Sequence, residues 1–114
     1  MRWSDVVELA LKWPEVSEAV SYGEPSLKTR KRLLTRRRVD DDSLVLLDVP
    51  AEERDHLIEI MPDVFFIEPH YASHDIVLAK LANIPNDILE RLLKRRWRSS
   101  ASKRALKAFD DAQL

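Results

Sequence analysis

The sequence predicts an α+β fold: a single domain in which an antiparallel sheet has helices packed on it, in the order α-β-β-β-α-β-β-α. Three observations lead there. Strand-type segments follow one another between residues 26 and 49, broken only by short polar stretches. Helical periodicity is confined to the two ends and to one segment after Pro50, and strands and helices in separate runs favour an antiparallel sheet. The chain has 114 residues, 45% hydrophobic and 34% charged, with no cysteine, so one domain must build its core without disulfides.

The first helix is expected over residues 4–13. Ser4 can cap it, and Asp5 and Glu8 stand where the helix dipole favours acids. Trp3, Val7, Ala10 and Leu11 follow helical spacing up to Pro14, and Glu15–Val20 can add a turn. Ser21–Pro25 is a connection holding Gly23, the only glycine, which marks a backbone position at positive φ. Strands follow at Ser26–Thr29 and Arg32–Val39. The second alternates, with Leu33, Thr35 and Val39 on one face and Arg32, Leu34, Arg36 and Arg38 on the other. Asp40–Ser43 is a turn of short polar side chains, and Leu44–Val49 is apolar enough for a strand buried on both faces.

Pro50 opens a second helix with Glu52, Glu53 and Asp55 near its start, and Pro62 closes it. Val64–Ile67 and Ile76–Leu81 are strands around the loop Glu68–Asp75. Asn86 caps a last helix with Ile88, Leu89, Leu92, Leu93 and Trp97 as its buried stripe. Ser99-Ser100 can interrupt it, after which Ala101–Phe109 continues or restarts the helix. The domain is expected over residues 1–109, with 110–114 as a tail. The opening Met-Arg-Trp-Ser-Asp-Val lacks a signal peptide's apolar core. No apolar run reaches the roughly 20 residues of a membrane span. With the absence of thiols, this predicts a soluble cytoplasmic protein without a membrane partner.

Charge is the chain's clearest functional signal. The net charge is -1, yet 15 of the 19 Lys and Arg residues fall in two acid-free segments, Lys28–Arg38 and Arg91–Lys107. Such polarisation makes a local field that the net charge hides. Lys28, Arg30, Lys31, Arg32, Arg36, Arg37 and Arg38 on the hairpin, with Arg95, Arg96, Arg98, Lys103 and Arg104 at the last helix, are candidate phosphate contacts. A two-stranded ribbon fits a DNA major groove. Against this stand ordinary roles: charge blunts a sheet edge, cations complement a helix C-terminus, and Asp40–Asp42 can neutralise Arg36–Arg38. Trp97 fits the core better than a base-stacking platform.

The order of landmarks resembles the MmcQ/YjbR family, small bacterial proteins often labelled DNA-binding. The matching residues are Trp13-Pro14, Gly23-Glu24-Pro25-Ser26-Leu27-Lys28, Lys31-Arg32-Leu33-Leu34, Leu47 with Pro50-Ala51-Glu52-Glu53-Arg54, Pro62, Phe66, Pro69-His70-Tyr71, Leu89-Glu90-Arg91-Leu92-Leu93 and Trp97-Arg98. They span about residues 3–107. The resemblance implies an α+β domain with an antiparallel sheet, and duplex DNA as a partner. The chain departs from the family at Arg30-Lys31, where glycines are usual, so a wider turn is expected there. It departs again at Ser73-His74-Asp75-Ile76, where a glycine-rich loop and a Trp are usual.

Other chemistry finds little footing. A single glycine excludes a glycine-rich phosphate loop, and Ser99-Ser100-Ala101-Ser102 lacks a nucleophile elbow. Glu52-Glu53 suits a helix start, and no catalytic constellation or cofactor motif is visible. His70 and His74, with Glu68 and Asp75, are a loose metal-ligand set, but an i, i+4 pair converges only on a helix, and Pro69 and the strand-like flanks argue against one. The expectation is therefore a DNA-binding domain, with a protein-interaction module as the alternative. An enzyme or small-ligand binder would require a concave pocket near Tyr22, His70, Tyr71 and His74.

Overall fold

A computed structural model describes residues 1–114 and shows an α+β domain built on one six-stranded antiparallel sheet. In chain order the elements are α1 (Trp3–Ala10), β1 (Val16–Ser21), β2 (Glu24–Thr29), β3 (Arg32–Arg38), β4 (Ser43–Leu47), α2 (Ala51–Ile60), β5 (Phe65–Phe66), β6 (Ile76–Lys80), α3 (Asn86–Ser100) and α4 (Lys103–Ala112), with a 3-10 turn at Pro69–Tyr71. The strands lie in the order β1-β2-β3-β4-β6-β5.

The sheet face of Leu27, Leu44, Leu46, Val77 and Ala79 meets Val6 and Ala10 of α1, Leu57 of α2, and Leu89, Leu92, Leu93 and Trp97 of α3 in one cluster. The α3 stripe repeats every three or four residues, as a helix with one apolar face requires. Burying each such Leu is worth about 1.5–3 kcal/mol. Trp97 is buried, stacks on Trp13 at 5.8 Å, and donates its indole N–H to the Pro14 carbonyl at 2.9 Å. That bond ties the last long helix to the end of the first.

Several expectations give way. Val16–Ser21 is a strand, not a helical turn: it pairs with β2 along its whole length and forms the sheet's edge. Trp13-Pro14 ends helical geometry before it, and Glu15 sits at φ 68°, which reverses the chain. The β3 alternation is interrupted. Leu27 and Lys28 of β2 pair with Thr35 and Leu33, leaving Leu34 as an extra residue. A bulge of this kind turns neighbouring side chains to one side, and Leu34 and Thr35 are both fully buried. The Arg30-Lys31 turn is tight rather than wide. Thr29 pairs with Arg32, Arg30 takes φ 58°, and its N–H is held by the Glu15 carbonyl at 3.0 Å. The Val64–Ile67 strand shrinks to Phe65–Phe66. The last helix breaks at Ala101-Ser102 and restarts, because the Ser102 hydroxyl caps α4 by accepting from the Ala105 N–H at 3.1 Å. α4 runs to Ala112, so Asp110 and Asp111 belong to a helix and not to a tail.

Candidate nucleic-acid interface

The two basic segments meet at one end of the sheet and part at the other. α3 packs against the helix-covered face of β3 and β4. The tip of the β2–β3 hairpin lies beside the end of that helix, where Arg32 donates to the Ser99 carbonyl at 3.2 Å. Glu15 ties in the start of α4. Its backbone carbonyl accepts from the Arg30 N–H, and its carboxylate accepts from the Ser102 N–H at 2.8 Å and hydroxyl at 2.9 Å. The bond from the Ser102 N–H holds the Glu15 carboxyl below its ordinary value, outweighing desolvation. Arg30, Lys31 and Arg32, with Ser100, line an open hollow. Lys103 and Arg104 follow directly from Ser102.

These five cations are exposed, and none is in an ion pair. Lys28, half-buried on the strand leading to the tip, is also unpaired. The other six predicted residues are engaged within the fold. Arg36 pairs with Glu24, Arg37 with Asp42 at 2.9 Å, and Arg38 with Glu68 at 2.9 Å and Asp41 at 3.2 Å. The aspartate run thus does neutralise Arg37 and Arg38, while Arg36 finds its partner across the hairpin. Arg95 binds Glu53 at 2.6 Å, Arg96 binds Asp48 at 3.1 Å, and Arg98 binds Asp110 at 2.9 Å. The Arg95 hydrogen bond is the main cause holding the Glu53 carboxyl below its ordinary value, and Arg98 acts likewise on Asp110.

Arg36 and Arg38 also face away from α3. Arg36 pairs in register with Val45, whose neighbours Leu44 and Leu46 point into the helix-covered core. On this second face Val45 and Leu78 are buried, although they lie outside the helix-packed cluster. The segment after β5 reaches over it, bringing the Tyr71 hydroxyl to Arg36 at 2.9 Å and Glu68 to Arg38. Arg54, itself buried, fastens that segment by donating to the Ala72 and His74 carbonyls, each at 3.3 Å. His56, His70 and His74 are exposed, and no group of three His, Asp or Glu residues is placed to hold a metal ion. Trp97 lies wholly within the core.

The sequence did not point to Glu15 as the joint between the two basic segments, nor to Tyr71 and Glu68 as partners of hairpin arginines. Glu15 carried one readable sign, an acid isolated between a helix-ending Trp13-Pro14 and a strand.

No family model matches the chain, and no solved structure matches it. It is similar to uncharacterized proteins of Mycobacterium tuberculosis and Mycobacterium bovis, 28% identical over 100 residues, covering 85% of this chain and 78% of each relative. No helix is long and apolar enough to cross a membrane.

Proposed function

We propose that the chain is a DNA-binding protein of the MmcQ/YjbR type that holds duplex DNA by its phosphates, through Arg30, Lys31 and Arg32 at the hairpin tip and Lys103 and Arg104 at the start of α4. One observation carries the reading: these cations are exposed and form no ion pair with a carboxylate, and the two segments that bear them are tied together at Glu15 and Ser99–Ser102. Cations left without protein partners attract phosphate, and the affinity falls with salt as counterions are released. Contacts of this kind position a protein without reading sequence. A salt titration of binding to duplex DNA tests the proposal. Absence of binding at low salt, or binding that survives loss of the tip cations unchanged, overturns it.

One observation favours the alternative, a protein-interaction module. β1 is an edge strand of six residues with Val20 72% exposed and neither Lys nor Pro to blunt it. Such an edge is a template for pairing with another strand. A Val20→Lys substitution that disrupts a self-associated species, with DNA binding absent throughout, would favour this reading.

A further inference from the structure

The second face of the sheet holds an open cleft of about 460 Å³, lined by Tyr22, Arg36, His70 and Tyr71. Tyr22 is the informative residue. With Gly23 it forms the two-residue loop between β1 and β2, and both residues have positive φ, 53° and 74°. A loop of that shape favours Asn-Gly, and an aromatic side chain there carries a steric penalty. Burial offers no compensation, because Tyr22 is 88% exposed. Neither the turn nor the core explains a tyrosine at this position. A strained residue at a cleft is a pointer to function.

The floor of the cleft is Arg36, only 8% exposed. Its guanidinium lies 5.1 Å from the centre of the Tyr22 ring. One terminal nitrogen binds Glu24 and the other donates to the Tyr71 hydroxyl, while Nε has no partner. Tyr71 accepts that bond, so its own O–H remains available to donate. His70 packs edge-on against Tyr71 at 4.9 Å. The cleft therefore offers an exposed ring to stack on and a hydroxyl donor beside it. The arginines here are already met by carboxylates, Arg36 by Glu24 and Arg38 by Asp41 and Glu68. An anionic ligand would have to compete with those carboxylates for Arg36.

We infer that this cleft binds a small, uncharged, planar heteroaromatic molecule of the nucleoside kind, stacked on Tyr22 with a ring acceptor taking the Tyr71 O–H. The volume lies within the range of small-molecule sites. The site is independent of the basic tip, which lies at the opposite end of β2.

Adenosine and guanosine, each titrated into the full chain and followed by amide chemical shifts, test the inference. At least one should move the resonances of Tyr22, Arg36, His70 and Tyr71. Tyr22→Asn removes the ring and keeps a residue that suits positive φ, so it should weaken binding at least tenfold without lowering Tm. Tyr71→Phe should weaken it several-fold. Adenosine and guanosine monophosphates should bind more weakly than the nucleosides. No shift at millimolar nucleoside, equal binding by the folded Tyr22→Asn variant, tighter binding of the monophosphates, or binding only when the base is part of a strand would each overturn it. Duplex DNA binding should be the same in Tyr22→Asn and the parent chain, which keeps the two proposals separable.

Discussion

Arg96 and Asp48 are 48 residues apart in sequence and joined in the fold. Arg96, on α3, donates to both carboxylate oxygens of Asp48 at 3.1 and 3.2 Å, and its Nε donates to the Leu33 carbonyl at 2.9 Å. One side chain thus holds the end of β4 and the bulged part of β3 against the last long helix. Asp48 sits at φ 61° and also accepts from the Ser99 hydroxyl at 2.8 Å. Arg96→Ala should cost about 2–4 kcal/mol, less than a wholly buried pair because the Asp48 side chain keeps some solvent. Asp48→Asn tolerates the same backbone and should cost only about 1 kcal/mol. Urea unfolding of both variants checks the order. Equal losses would mean that the Asp48 charge carries nearly the whole interaction and that a neutral amide cannot replace it.

The acid limb of the stability curve should follow from the same carboxylates. Burial pushes the Asp48 carboxyl up, but hydrogen bonds from Ser99 and Arg96 and the charges of Arg96 and Arg32 outweigh it and leave it below its ordinary value. Glu53 and Asp110 are lowered as well, chiefly by Arg95 and Arg98. A folded-state value below the unfolded one means that the contribution is complete above the unfolded value and is lost as pH falls through the folded one. Unfolded carboxylates titrate at about 4. Stability should therefore hold from neutral pH to about 5 and decline steadily below 4. In Asp48→Asn the decline between pH 4 and pH 2 should be shallower. An unchanged slope would remove Asp48 from the set.

Much of the fold was legible because it rests on local signals. Gly23 marked a positive φ, Pro50 and Pro62 bracketed α2, and the Leu89–Trp97 stripe identified α3 and its buried tryptophan. β1 was not legible, since Val-Ser-Glu-Ala-Val-Ser mixes helix formers with an alternation that only its pairing with β2 reveals. The candidate interface was half legible. Charge clustering picked out the two segments that the fold joins at Arg32–Ser99 and at Glu15–Ser102, but local sequence does not record which arginines meet distant acids. Arg36 and Arg32 look alike in the chain. One is buried against Glu24 and Tyr71, and the other is exposed at the tip.

That difference sets the salt dependence. If the five unpaired cations at the tip and α4 all meet phosphate, the log–log slope of affinity against salt should be about -4.5. Lys31→Ala combined with Arg104→Ala should reduce its magnitude by about 2, with equal effect on unrelated DNA sequences. Arg36→Ala should leave the slope as it is and lower Tm, because its partners are within the protein. A slope that responds to Arg36 and not to Lys31 and Arg104 would place any DNA on the second face instead.

α4 should depend on its few attachments. A helix of ten residues does not hold its shape alone in water. This one is held by Phe109 edge-on against Trp97 at 4.9 Å, by Arg98 with Asp110, and by Ser102 with Glu15. Phe109→Ala should release it while the sheet persists, seen as fast amide exchange confined to residues 103–112. Exchange that stays slow there would show that the ion pair, the cap and the packing of Ala105 and Leu106 suffice.

Glu15 gives the sharpest test, because it acts on fold and proposed function in opposite directions. Its carboxylate holds the start of α4 through Ser102, yet it is a negative charge beside Arg30, one of the proposed phosphate contacts. Gln at this position keeps a carbonyl oxygen for the Ser102 N–H and removes the charge. Glu15→Gln should therefore bind duplex DNA about two- to fivefold more tightly at low salt, the scale of one exposed charge interaction. The gain should fade as salt is raised, since exposed charges are screened within about 10 Å at 0.1 M. Glu15→Ala should show the same gain together with faster amide exchange at the first turn of α4. Fluorescence anisotropy at two salt concentrations, read beside exchange rates, separates the two effects. If neither variant changes affinity, the phosphates are not at this end of the molecule.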